Sequence, residues 1–205
     1  MIATDARPPA TVSLGHLDGA TWALGGGGLL FSLGNLLHPL QHVDAAYRAP
    51  TWTVAHLAIF FSLPLLMLGL PSLARTLRLR GAGPIARIAM LLAVVGLIGM
   101  APALLAEAYI APELGAAAME HLDATGFGVV SGVLSTAWVA SSVVLAVACH
   151  RASFGPTWAR VVLVGVSVAL VLGVVPGPVG GMVVIVATAA YGVAIAALGW
   201  ELGPR

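Results

Sequence analysis

The chain has no lysine, one cysteine and few charges of any kind. Of its 205 residues, 8% are charged and 60% are hydrophobic. A soluble domain of this size carries about a quarter charged residues. In water such a chain would expose a very large apolar surface, so lipid must be its solvent. The lone Cys149 excludes an internal disulfide framework and any cysteine-rich zinc or iron–sulfur site. The net charge of +1 gives no basis for binding nucleic acid. Aromatic residues are only 6% of the chain, which leaves few rings to stabilise a carbocation.

Uninterrupted apolar stretches fill the rest. A bilayer core of about 30 Å needs roughly 20 apolar residues per helix. Six stretches qualify, near 20–38, 52–74, 85–110, 126–149, 158–175 and 179–200. Turn residues separate them: Pro50, Gly81 to Pro84, Gly155-Pro156 and Pro176 to Pro178. Continuous rather than alternating apolar runs mean helices, which satisfy their own backbone in lipid. The expected fold is all-α, a polytopic bundle of six transmembrane helices. The bundle spans 20–200, with tails at 1–19 and 201–205. No apolar core follows a basic start within the first 19 residues, so no cleavable signal peptide is expected.

The arginines orient this bundle. Arg75, Arg78, Arg80, Arg87, Arg151, Arg160, Arg7 and Arg205 all fall on one side of six spans, and only Arg48 on the other. By the positive-inside bias both termini are cytoplasmic, in the bacterial inner membrane. Trp52, Trp158 and Trp200 fall at span ends, where interfacial anchors belong. Residues 113–124 are too polar to span and too regular for a plain loop; a short helix lying on the outer surface is expected there.

The ionisable groups then sort unevenly. The outer side receives His38, His42, His56 and His121 with Asp44, Glu107, Glu113, Glu120 and Asp123. Asn35-Leu-Leu-His-Pro-Leu-Gln-His42 sets two imidazoles four residues apart, with Pro39 expected to kink the helix between them. His56 lies about a turn inside the second span, and Glu107 within the last turn of the third. Ionisable residues at such depth are costly and by default functional. The expectation is a shared site of His38, His56 and Glu107, with His42 as an optional fourth member. Asn35, His121 and Tyr109 are accessory candidates. The glycine run Gly25 to Gly28 reads as close helix packing. So do Ser131, Ser135 and Ser142, since no Gly-x-Ser-x-Gly elbow surrounds any of them.

The pattern of His38-Pro39, Trp52-x3-His56, the arginine-rich turn after Leu70-Pro71, Glu107 followed by Pro112, and Gly155-Pro-Thr-Trp158 resembles a scattered group of small six-helix membrane proteins of GC-rich bacteria. That group has no established activity, so the resemblance implies a fold and no reaction.

Three functions stand open. The first is a transition-metal site (zinc, copper or iron) on His38, His42, His56 and Glu107, or haem b held by His38 and His56. The spacing lacks the His-Glu-x-x-His of zinc proteases. The second is a metal-free acid–base enzyme on a lipidic or isoprenoid substrate, with Glu107 and His56 exchanging protons. The third is a non-catalytic structural, transport or pH-sensing subunit, since histidine beside a carboxylate titrates near neutrality. Membrane lipid is a partner in every case, and the nearly non-polar fifth and sixth spans offer a surface for an oligomer or larger complex.

Overall fold

The structure is a computed structural model that describes residues 15–172 and 178–203. Helices dominate, and no strand occurs among the described residues. They are α1 (Gly15–Leu37), α2 (Asp44–Tyr47), α3 (Pro50–Leu77), α4 (Pro84–Asp123), α5 (Gly126–Arg151), α6 (Thr157–Leu172) and α7 (Pro178–Trp200). As far as they are described, the six expected apolar stretches are helical, residues 173–175 of the fifth lying outside the described residues; α2 is a four-residue addition that apolarity could not reveal. Most of the expected N-terminal tail and part of the Pro176–Pro178 turn lie outside the described residues.

Among the described residues, four helices are long and apolar enough to cross a membrane: Pro50–Ala82, Pro84–Asp123, Gly126–Arg151 and Val179–Trp200. Thr157–Leu170 is apolar but shorter.

The breaks follow local chemistry. Proline opens α3 at Pro50 and α4 at Pro84, where a missing N–H costs nothing. Between them a π-helical turn, Arg78–Ala82, ends in two left-handed glycines, Gly81 at φ 99° and Gly83 at φ 57°. Gly155, at φ 75°, turns the chain from α5 into α6.

One expectation about a helix end needs correction. Pro39 does not kink α1; the helix stops at Leu37, because the residue before a proline is disfavoured in the helical region. His38 and His42 therefore do not share a helix face. The polar stretch 113–124 does contain a short helix of its own, 116–123, set off from the long body of α4 by a sharp break at Gly115, φ 77°.

The six long helices pack as a closed ring. Each lies against its neighbours in sequence, and α7 closes the ring onto α1. Phe31 of α1, Trp138 of α5 and Tyr191 of α7 meet near the middle, with ring centroids 4.8–5.8 Å apart, Tyr191 edge to face with both of the others. Small residues let the backbones close in. A Cβ on Gly28 would strike Gly192 and Ala196 of α7, and one on Gly34 would strike Ala55 and Ile59 of α3. On α4 the corresponding stripe is Gly96 and Gly99, against Trp138 and Leu134 of α5.

Candidate functional site

Trp52 is the hub of the site. It lies in the first turn of α3, is fully buried, and does not act as an interfacial anchor. Its ring packs against His56 at 4.4 Å, Tyr47 at 4.6 Å, His38 at 5.0 Å and His42 at 5.3 Å between centroids. Its indole N–H donates to the Glu107 carbonyl oxygen at 2.6 Å. Thr53 adds a second bond from α3 to α4, donating to the Ala108 carbonyl at 3.1 Å.

On one side of this indole sits a histidine pair. His56 is 2% exposed, and its Nε2 lies 3.2 Å from Nε2 of His38. The other nitrogen of each ring faces a backbone carbonyl. His38 Nδ1 is 2.7 Å from the Pro39 oxygen, and His56 Nδ1 is 2.8 Å from the Trp52 oxygen. The chain therefore runs from carbonyl through imidazole and imidazole to carbonyl.

That chain has a proton deficit. Its three contacts each need one proton, the carbonyls have none to give, and two neutral imidazoles carry two. Whichever tautomers are chosen, one contact brings two lone pairs face to face. A third proton, giving the pair a single positive charge, completes the chain. A metal ion could also replace the central proton. Tetrahedral donors at Zn–N bond lengths lie about 3.3 Å apart, close to the observed separation.

Haem fits the pair poorly. Iron between two opposed axial imidazoles sets their nitrogens about 4 Å apart with a porphyrin between them. At 3.2 Å these rings leave no such gap.

Glu107 lies on the other side of Trp52, so the expected three-helix site does not assemble. In the ring α3 stands between α1 and α4. The Gly96 stripe on the face that carries Glu107 packs on α5, and the carboxyl follows it. Glu107 Oε2 is buried without a hydrogen-bond partner in a cavity of about 290 Å³ between α4 and α5. Asp123, Met119, Phe127, Ser131 and Ser135 line the same cavity. Among the described residues, no group of three or more His, Cys, Asp or Glu is placed to hold a metal ion. The four-ligand set His38, His42, His56 and Glu107 is thus split two ways.

The remaining candidates have separate places. His42 is exposed in the loop after α1, its ring 5.3 Å from that of His38. His121 is exposed near the end of α4, and Tyr109 is 58% exposed. Asn35 serves packing: its amide donates to the Phe31 carbonyl at 2.8 Å, and its Oδ1 accepts from Thr188 of α7 at 2.6 Å.

Two residues matter here that the sequence did not single out. Asp44, at the start of α2, accepts the Ala116 N–H at 2.7 Å and so caps the helical segment after the Gly115 break. Tyr47, one turn later, is buried against Trp52. Burial, then the nearby charges of Glu107, Asp123 and Asp44, push its phenol up to about 12. The loop carrying His38 and His42 is thereby tied through α2 to the segment that roofs the Glu107 cavity.

Compared with known proteins, the chain matches no family model, no curated sequence and no solved structure.

Proposed function

We propose that this is a pH-responsive multi-pass protein of the bacterial inner membrane, in which His38 and His56 bind one proton between them at the outer face. Six crossings with both termini cytoplasmic are supported by the arginine asymmetry and by the six-membered helix ring. The segment beyond Gly115 then lies at the outer surface.

The observation that carries the reading is the proton deficit of the His38–His56 chain. With three protons, the loop after α1 is fastened to α3 by a charge-assisted bond in a partly buried setting. With two, the same contact is repulsive and the loop is released. His42 in the loop, Asp44 and Tyr47 of α2, and Glu107 and Asp123 of α4 are the ionisable groups around the pair. Tyr191 of α7 packs deeper, on Phe31. Release of the loop loosens α2 and the Asp44 cap, and so reaches the roof of the Glu107 cavity.

The test places a reporter in that loop. Cys149 is fully buried and silent, so a Gln41→Cys variant reads loop accessibility by maleimide labelling in lipid nanodiscs. Normalised to an exposed control thiol, labelling should rise between pH 5 and pH 8, and His56→Gln should abolish that change. An unchanged pH profile in His56→Gln refutes the reading. Stoichiometric zinc, copper or iron in the same preparation would put a metal in place of the proton.

A second reading has its own support: the unpartnered Glu107 carboxyl in a cavity shared with Asp123, Ser131 and Ser135. This arrangement suits acid–base chemistry on a lipidic molecule without His56. A hydrophobic molecule that co-purifies and is lost in Glu107→Gln would favour it.

A further inference from the structure

At the opposite end of the ring the chain carries a second concentration of charge, of one sign. Arg75 in the last turn of α3, Arg78 just after it and Arg87 in the first turn of α4 line a cavity of about 610 Å³, together with Leu79, Gly83 and Pro84. Among the described residues, no acidic residue lines it. None can come from nearby sequence either, since no Asp or Glu occurs between Asp44 and Glu107. Arg80, from the same turn, is directed elsewhere, its guanidinium 5.1 Å from the centre of the Phe154 ring.

Three exposed guanidiniums around one cavity repel one another, and among the described residues no carboxylate in its lining relieves them. The turn that gathers them is fixed by the left-handed Gly81 and Gly83. The start of α4 adds to the same potential, because Gly83 offers no capping side chain to its first N–H groups. We infer that this cavity binds a phosphate group, and that the phosphate is that of an anionic phospholipid. Guanidinium forks match phosphate oxygens in number and geometry. Leu79, 79% exposed on the rim, sets an apolar surface beside the charges, where an acyl chain rather than water would lie. Basic pockets between helices at a membrane surface recognise lipid headgroups by this combination. The inference uses the membrane reading but not the histidine pair, and survives if the pH response fails.

The experiment uses the full chain in detergent and counts retained lipid by native mass spectrometry. Phosphatidylglycerol and phosphatidylcholine are offered in equal amounts, and inorganic phosphate is added as a competitor. Phosphatidylglycerol should be retained in preference. Each of R75Q, R78Q and R87Q should weaken that retention about fivefold. R151Q, which removes the same charge outside the cavity, should not weaken it, and R78K should restore part of what R78Q loses. Displacement by millimolar inorganic phosphate with the same arginine dependence would keep the site and make its ligand a soluble phosphate. Equal retention of the two lipids, or equal effects of R78Q and R151Q, would overturn the inference.

Discussion

Within the glycine run of α1, two positions separated by one residue should respond in opposite directions to the same added methyl group. A Cβ on Gly26 meets nothing within 4 Å. Gly26→Ala therefore gains only the helix propensity difference, up to about 1 kcal/mol. A Cβ on Gly28 would lie 2.7 Å from the Ala196 nitrogen and 3.1 Å from the Ala196 Cβ, and against the Gly192 carbonyl oxygen. These are mainly backbone atoms of α7, which cannot rotate aside, so α7 must move as a body. Moving it strains the bonds that follow along the same seam, Ser32 to the Ala189 carbonyl at 2.6 Å and Thr188 to Asn35 at 2.6 Å. Overpacking of this kind costs about 1–3 kcal/mol, which outweighs the propensity gain. Because both variants gain the same propensity, they should differ by the overpacking cost alone, roughly 1–3 kcal/mol, or about 2–12 °C in apparent Tm for a chain of this size. Thermal unfolding in a single detergent, followed by helical ellipticity, measures the difference. Gly27→Ala, facing the Leu65 Cβ at 3.0 Å and the Leu66 nitrogen at 3.1 Å, should fall between them. Equal midpoints for Gly26→Ala and Gly28→Ala would refute the packing of α1 on α7.

Other expectations follow from single contacts. Asn35→Ala and Thr188→Ala should each cost about 0.6–1.7 kcal/mol, the range for interhelical bonds in membranes, and a double-mutant cycle should show them coupled. Asp44→Ala removes the cap on Ala116 and should cost about 1 kcal/mol locally. Hydrogen exchange should then quicken across residues 116–123 while α5 and α6 stay protected. Because the Tyr47 phenol is raised to about 12, the folded state holds a proton that the unfolded state gives up above pH 10. Its stabilising contribution is complete below pH 10 and is lost as pH rises toward 12. An alkaline unfolding series should show this slope in the native protein and a flatter one in Tyr47→Phe.

How far the sequence could be read depends on what each feature required. Helix bodies were legible because apolar runs of this length have no other solution in lipid, and the turn after α3 because Gly81 to Pro84 permits little else. His56 is 2% exposed and Glu107 Oε2 is buried within the protein. Neighbours around the ring were not legible. Gly96, Met100, Ala103 and Glu107 visibly share a face, but only packing decides that the Gly96 stripe meets Trp138 of α5 rather than α1. That one choice sends the Glu107 carboxyl away from the histidines. The spacing of His38 and His42 was misleading for a local reason, since Pro39 ends the helix that would have aligned them. Trp52 resembled an anchor because it stands at a span end; its burial depends on α2 and α4 closing over it.

The central claim is that His38 and His56 hold three protons on four ring nitrogens when the loop is fastened. Nitrogen-15 NMR of the histidine-labelled protein in lipid counts them directly, with His42→Gln and His121→Gln variants to remove overlapping signals. On acidification from pH 8 to pH 5, the pair should pass from two ring N–H protons to three, with a coupling across the Nε2–H–Nε2 contact and one imidazolium charge shared between the rings. Two protons at every pH in that range, with both Nε2 atoms unprotonated and no shared signal, would contradict the account.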